Sequence, residues 1–258
     1  LGSIGIKTGL AGFDNYLPAG ITPGQLGVFL AYPGIGKSWM ALYFAVQAWK
    51  QGKSPLIISL EMSETEVRNR VFAIMGEGIW SHRKLSAGLV EIDDLKRWHR
   101  KELAGKPEFH IISNDGSGEV TPSVIRGKID QYKPDLVIVD YLQLMSPNQK
   151  SDNETVKMKN LSRELKQLAL GEEVPIIAIS SATPDDVTKM DTVPTLGQTA
   201  WSRQIAYDAD WILALGRATN SDILECVFRK NRNGFMGEFL VQVDFDKGWY
   251  KYKDYEDK

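Results

Sequence analysis

Residues 26–38 read LGVFLAYPGIGKS. The apolar run 26–30 predicts a short buried strand, residues 33–36 a tight glycine-rich turn, and Lys37 with Ser38 the start of a helix. Strand, glycine-rich loop and helix, in that order, are the setting of a phosphate-binding P-loop. Gly34 and Gly36 let successive backbone N–H groups turn toward phosphate oxygens. Lys37 is placed to reach the β and γ phosphates, and the Ser38 hydroxyl to ligate Mg²⁺. The expected nucleotide-binding run is therefore Ala31, Tyr32, Pro33, Gly34 and Ile35, followed by Gly36, Lys37, Ser38 and Trp39. The pattern G-x-x-x-x-G-K-[ST] asks for glycine at position 31, where this chain has Ala31.

The length, 258 residues, suits one large α/β domain. A net charge of −2 leaves no global basic field, so any nucleic-acid contact must come from a local patch or a ring of subunits. The single cysteine, Cys226, excludes an intrachain disulfide and a cysteine-based zinc site, and its strand setting reads as core. No apolar run approaches the ~20 residues that span a bilayer, and the first residues carry no signal peptide. These features fit a cytoplasmic protein, in the host cytoplasm if the source is viral. The chain starts with Leu rather than Met, as expected of a fragment or a processed chain.

Residues 1–25 read as a lead-in segment with a short helix near 10–17, residues 26–250 as the main domain, and residues 251–258 as a charged tail. After the P-loop come a helix over 39–49 and a buried strand over 56–60. Ser63 and Glu66 form a capping box that opens a helix to about 75. Residues 76–90 read as irregular and 91–104 as an amphipathic helix. A strand over 109–113 precedes a helix over 122–132 capped by Thr121. The run LVIV, 136–139, is a buried strand ending in Asp140. Ser151 and Glu154 read as a second capping box, before a helix whose apolar face holds Val156, Leu161, Leu165 and Leu168. Strands over 175–179, 211–215, 225–229 and 239–243 follow, the last two joined as a hairpin through NRNG. Between them lies a long polar segment, 182–204. The alternation predicts an α/β fold with a mostly parallel, doubly wound sheet and a C-terminal antiparallel β-hairpin extension.

Three features narrow the chemistry. Asp140, at the end of a buried strand, is where a carboxylate holds Mg²⁺ beside a P-loop hydroxyl. Glu61 ends the strand LIISL on the same sheet edge and is placed to activate water for attack on a γ phosphate. Lys230 and Arg232, in RKNRNG, suit either a solvated hairpin tip or an arginine finger reaching a neighbouring subunit.

The segments GLAGFDN, AYPGIGKS, SLEMS, VDYLQLM, VPIIAIS, DADWI and RKNRNG occur in the order and approximate spacing of one family. Over nearly its whole length the chain resembles the C-terminal motor domain of DnaB-type replicative helicases. The resemblance implies a RecA-like P-loop NTPase motor over 26–250, a ring of six subunits with ATP sites at their interfaces, and translocation on single-stranded DNA. It implies ATP and Mg²⁺ as ligands, with Lys37 and Ser38 as the P-loop pair, Asp140 as the metal acid, Glu61 as the catalytic base, and Lys230 and Arg232 as cations acting in trans. Ala31 is common at that place in the family.

The chain departs from the family in two places. Ser181 stands where the family has a glutamine, and QTAWSRQIAY, 198–207, replaces the family's channel-lining segment. In that region Trp201, Arg203 and Lys189 are the expected DNA contacts, although Trp201 equally suits a hydrophobic anchor. The family's primase-binding N-terminal domain has no counterpart here, which implies a motor fragment or a shortened viral or plasmid-type relative. The expected function is an ATP-dependent helicase motor with primase or a loader as partner. The alternative is a RecA-like recombination or strand-annealing ATPase.

Overall fold

The computed structural model describes residues 5–113, 118–149, 151–183, 192–196 and 202–253, with the backbone alone for 202–204. Its strands are β1 (Leu26–Ala31), β2 (Pro55–Ser59), β3 (His110–Ser113), β4 (Leu136–Asp140), β5 (Ile176–Ser181), β6 (Trp211–Gly216), β7 (Ile223–Asn231), β8 (Glu238–Asp244) and β9 (Trp249–Lys253). They form one sheet in the order β3-β2-β4-β5-β1-β6-β7-β8-β9. The first six are parallel, and β7, β8 and β9 continue antiparallel. The extension is thus one strand wider than a hairpin. Residues 251–253, read from sequence as tail, pair with β8 instead. Their alternating Tyr and Lys suit a strand with one face half covered.

The helices are α1 (Ala11–Tyr16), α2 (Lys37–Lys50), α3 (Glu64–Gly76), α4 (His82–Ser86), α5 (Ile92–Leu103), α6 (Pro122–Tyr132), α7 (Glu154–Gly171) and α8 (Ser202–Asp208). Connections from β1 to β2 and β3 run one way along the sheet, and those from β3 to β4, β5 and β6 run the other way. Right-handed crossovers therefore put α2 and α3 on one face and α6, α7 and α8 on the other. Strands β1, β2 and β4 are buried along their whole length, as a sheet covered on both faces requires.

Residues 5–25 are built into this core. Ile6 pairs with Ile21, and Phe13 packs edge-on against Phe44 and Trp211. Trp211 lies directly across from Gly27, where a Cβ would sit 2.0 Å from the indole. Gly27→Ala is expected to destabilise the fold by about 1–3 kcal/mol through overpacking. The urea midpoint is the measurement, and an unchanged midpoint would show that the indole yields without cost.

Local capping signals behave unevenly. Ser63 and Glu66 form the full capping box, and Thr121 caps α6. The second box is corrected: Asn153 caps α7 through the Val156 N–H, while the Ser151 hydroxyl accepts the Asn153 N–H. Val156 is exposed, and Met158 takes its place on the buried face. Residues 82–86, read as irregular, form α4. The Ser81 hydroxyl accepts the Lys84 N–H there, and the Asp246 carboxylate accepts from Ser81 and from the Arg83 N–H. Cys226 is buried, with its thiol pKa pushed up chiefly by burial.

Candidate nucleotide site

The C-terminal end of β1 delivers Ala31 to the loop 32–36, and α2 begins at Lys37. Gly34 (φ +78°) and Gly36 (φ +118°) occupy left-handed conformations that strain any L side chain. A Cβ on Gly36 would also lie 2.5 Å from the Phe245 ring. The positive end of a 14-residue helix faces the loop. Lys37 Nζ donates to the carbonyls of Ala31 (3.0 Å) and Tyr32 (2.9 Å), folding back over the loop.

Burial lowers the Lys37 pKa to about 8, opposed by the charges of Asp140 and Glu61. Phosphate binds the charged form, so nucleotide affinity is expected to weaken as pH rises through 8, by up to about tenfold per pH unit. The sign for folding is the reverse. The depressed pKa costs stability below pH 8, and that cost fades as pH climbs toward the ordinary 10.5. Calorimetric titration of nucleotide between pH 7 and pH 9 checks this. An affinity constant across that range would remove Lys37 as the phosphate's cation.

Asp140 is the last residue of β4 and is buried. Its carboxylate accepts a hydrogen bond from Ser38, while Oδ2 has no hydrogen-bond partner among the described residues. Its pKa is raised chiefly by burial, with the Ser38 bond opposing and Glu61 adding to the rise. A buried carboxylate with one orphaned oxygen, bonded to a P-loop hydroxyl, fits a hard divalent cation such as Mg²⁺.

Glu61 stands two residues beyond β2, which ends at Ser59 rather than at Leu60. The Ser59 hydroxyl donates to the Met62 carbonyl and accepts the Met62 N–H, turning the chain sharply. The Leu60 N–H donates to the Asp140 carbonyl at 2.6 Å. Glu61 is thereby exposed at the tip of a turn pinned to the metal-binding strand, and its charge is felt by both Lys37 and Asp140.

Four residues near the loop were not singled out from sequence. Arg217 donates from Nη2 to the Gly34 carbonyl (3.2 Å), and its guanidinium lies 5.0 Å over the Phe245 ring. Phe245 stacks on Trp39, with ring centres 5.3 Å apart and planes 21° apart. Trp39 is therefore covered by protein, with Arg70 over its indole at 5.3 Å. Arg70 Nε is buried without a partner among the described residues, and burial lowers its pKa against the pull of Asp140. Gln143 donates to the Ser180 hydroxyl (3.2 Å) and the Ser181 carbonyl (3.1 Å), tying the turn after Asp140 to the end of β5. A groove of 610 Å³ between α3, α5 and β3 is not lined by any of these four residues or by the P-loop.

Lys230 and Arg232 are not part of this assembly. Strand β7 runs antiparallel to β6, so Lys230 pairs with Ile212 and Asn231 with Trp211. Trp211 in turn pairs with Gly27, near the start of β1. The cations thus lie at the N-terminal edge of the sheet and the P-loop at its C-terminal edge. The six residues of β1, about 20 Å, separate them. Lys230 Nζ donates to the carbonyls of Ala206 (2.5 Å) and Tyr207 (3.2 Å). Its pKa is lowered, first by burial and then by Arg232. Trp201 and Lys189 lie outside the described residues. Arg203 falls in α8, but its side chain lies outside them too.

Among the described residues no helix is long and apolar enough to cross a membrane. Residues 5–254 match the family described as DnaB-like helicase C terminal domain. A replicative DNA helicase DnaB of Pasteurella multocida is 31% identical over 250 residues, 92% of this chain and 53% of that protein. The chain thus spans about half the length of that relative. A solved phosphohydrolase module, described as an ATPase domain, has a TM-score of 0.84 at 25% identity, covering 98% of this chain and 92% of that one. A solved DnaB-like replicative helicase, described with its interactions with primase, has a TM-score of 0.83 at 25% identity, covering 97% and 62%. The α/β architecture is the RecA-like one these domains share. The chain belongs to the DnaB-like helicase C-terminal domain family.

Proposed function

We propose that this chain is the ATP-hydrolysing motor of a replicative DNA helicase, working as a homohexameric ring on single-stranded DNA. The observation that supports it most is the split of the charged residues between opposite sheet edges. Lys37, Ser38, Asp140 and Glu61 gather at one edge, and Lys230 and Arg232 at the other. Neither set makes a full hydrolytic site alone. A head-to-tail neighbour brings the second edge against the first, which is how a ring closes.

In this reading the loop 32–36 and the start of α2 cradle the phosphates of ATP. Lys37 leaves the Ala31 and Tyr32 carbonyls to meet the β and γ oxygens. Ser38 and Asp140 would hold Mg²⁺, which when bound neutralises charge on those oxygens. Glu61 accepts a proton from the water that attacks the γ phosphorus. Arg232 of the neighbouring copy neutralises the charge that builds on the transferring group, with Lys230 beside it. Arg217 and Phe245 present a guanidinium and an aromatic ring at the mouth of the loop, a setting in which a purine ring stacks. The segment 182–201 runs between the end of β5 and α8 and, with the start of α8, carries the proposed DNA contacts Trp201, Arg203 and Lys189. A primase is the partner we propose.

The test is unwinding of a forked duplex, with ATP turnover and solution mass measured with and without single-stranded DNA. DNA-stimulated turnover, a hexamer mass and strand separation are expected. Filaments on single-stranded DNA without unwinding would replace this reading with a recombinase.

A further inference from the structure

Arg232 is held by its own subunit through two contacts. Nη1 donates to Asp210 Oδ1 at 3.3 Å, and Nη2 donates to the Tyr207 carbonyl at 3.0 Å. The side chain is nevertheless 48% exposed. A guanidinium has five N–H groups in a fixed plane, so two anchored at one edge leave three aimed outward.

The anchor itself is rigid. Asp210 is buried, and its Oδ2 accepts from Lys166 Nζ at 2.7 Å and from the Leu26 N–H at 2.8 Å. The Asp210 N–H donates to the Leu26 carbonyl, and the Arg232 N–H to the Asp210 carbonyl, both at 2.8 Å. Leu26 is the first residue of the strand whose last residue opens the P-loop. Tyr207 lies near the end of α8, into which the 182–201 segment runs. Asp210 thus fastens Arg232 both to the frame of its own nucleotide loop and to the helix that follows that segment.

We infer that Asp210 is the positioning residue for Arg232, holding the guanidinium plane in the orientation that presents its free N–H groups to the neighbouring subunit. This rests on the trans role of Arg232 proposed above. A buried carboxylate costs free energy unless fully paired, and this one is paired to three donors from three different segments. Orientation of this kind matters because a displacement of ~1 Å in a charge-stabilising group costs ~10²-fold in rate. Asp210 touches no substrate, so its loss should appear in turnover and not in nucleotide affinity.

Asp210→Asn is expected to lower the kcat of DNA-stimulated ATP hydrolysis by about 10²-fold with KM for ATP unchanged. Mixed with Lys37→Ala subunits it should recover activity, because an intact Asp210–Arg232 pair then faces an intact P-loop at some interfaces. Asp210→Glu keeps the charge but shifts the carboxylate by one methylene, and it should show the same recoverable loss. Lys166→Met keeps the bond to Arg232 and should retain wild-type turnover. Arg232→Ala mixed with Lys37→Ala runs alongside. If that pair recovers and both Asp210 variants do not, positioning is overturned while the trans role stands. If neither recovers in rings of verified mass, the trans role fails and the inference with it. A loss in Lys166→Met equal to that in Asp210→Asn would reduce Asp210 to a packing group.

Discussion

Replacing Arg232 by alanine is expected to cut DNA-stimulated ATP turnover by about 10³–10⁵-fold while each P-loop still binds nucleotide. The reason is topological. Asn231 pairs with Trp211, which pairs with Gly27, so Arg232 follows a strand that ends beside the start of β1. Its own P-loop lies past the far end of that strand. Its guanidinium can meet a γ phosphate only on another copy, and a charge that acts only as the transition state builds appears in kcat. Turnover under saturating ATP and binding of a fluorescent nucleotide are the two measurements. A drop in binding matching the drop in turnover would place Arg232 in a cis, structural role.

Changing Glu61 to glutamine is expected to lower turnover by about 10²–10⁴-fold, again with nucleotide bound. Glutamine fills the same space and leaves the Ser59–Met62 turn and the Leu60–Asp140 bond in place. What it lacks is a lone pair basic enough to take a proton from water. The change also removes one of the two charges that hold the Lys37 pKa up, so Lys37 should lose its proton at lower pH than in the parent. The weakening of nucleotide binding near pH 8 should therefore begin earlier in this variant. Turnover equal to that of the parent protein would remove Glu61 as the base.

Both expectations depend on residues whose types were plain in the chain and whose placement was not. Ser63, Glu66 and Thr121 act on N–H groups within three residues, so their caps were legible locally. Asn153 displaced Ser151 as a cap because it directly precedes the first helical residue, and its Oδ1 reaches the Val156 N–H. Helix α4 escaped notice for the opposite reason. Five residues cannot stabilise themselves, and a carboxylate more than 160 residues away, Asp246, accepts the hydrogen bonds at its start.

The half-site that local rules build was readable in the chain. A strand, two left-handed glycines, a lysine and a serine at a helix start, and carboxylates just past buried strands can assemble in few ways. The parallel strand order then brings Asp140, Glu61 and Lys37 together. The other half came from the folded sheet. Arg217 and Phe245 lie some 180 and 210 residues after Gly34 and Gly36, and sheet order alone lays them over the loop. The antiparallel turn of β7 sends Lys230 and Arg232 to the opposite edge, where α8 carbonyls and Asp210 hold them. Pairing direction is a long-range property of the sheet, carried by no single residue. It leaves each chain with a nucleotide loop on one side and a tethered pair of cations on the other.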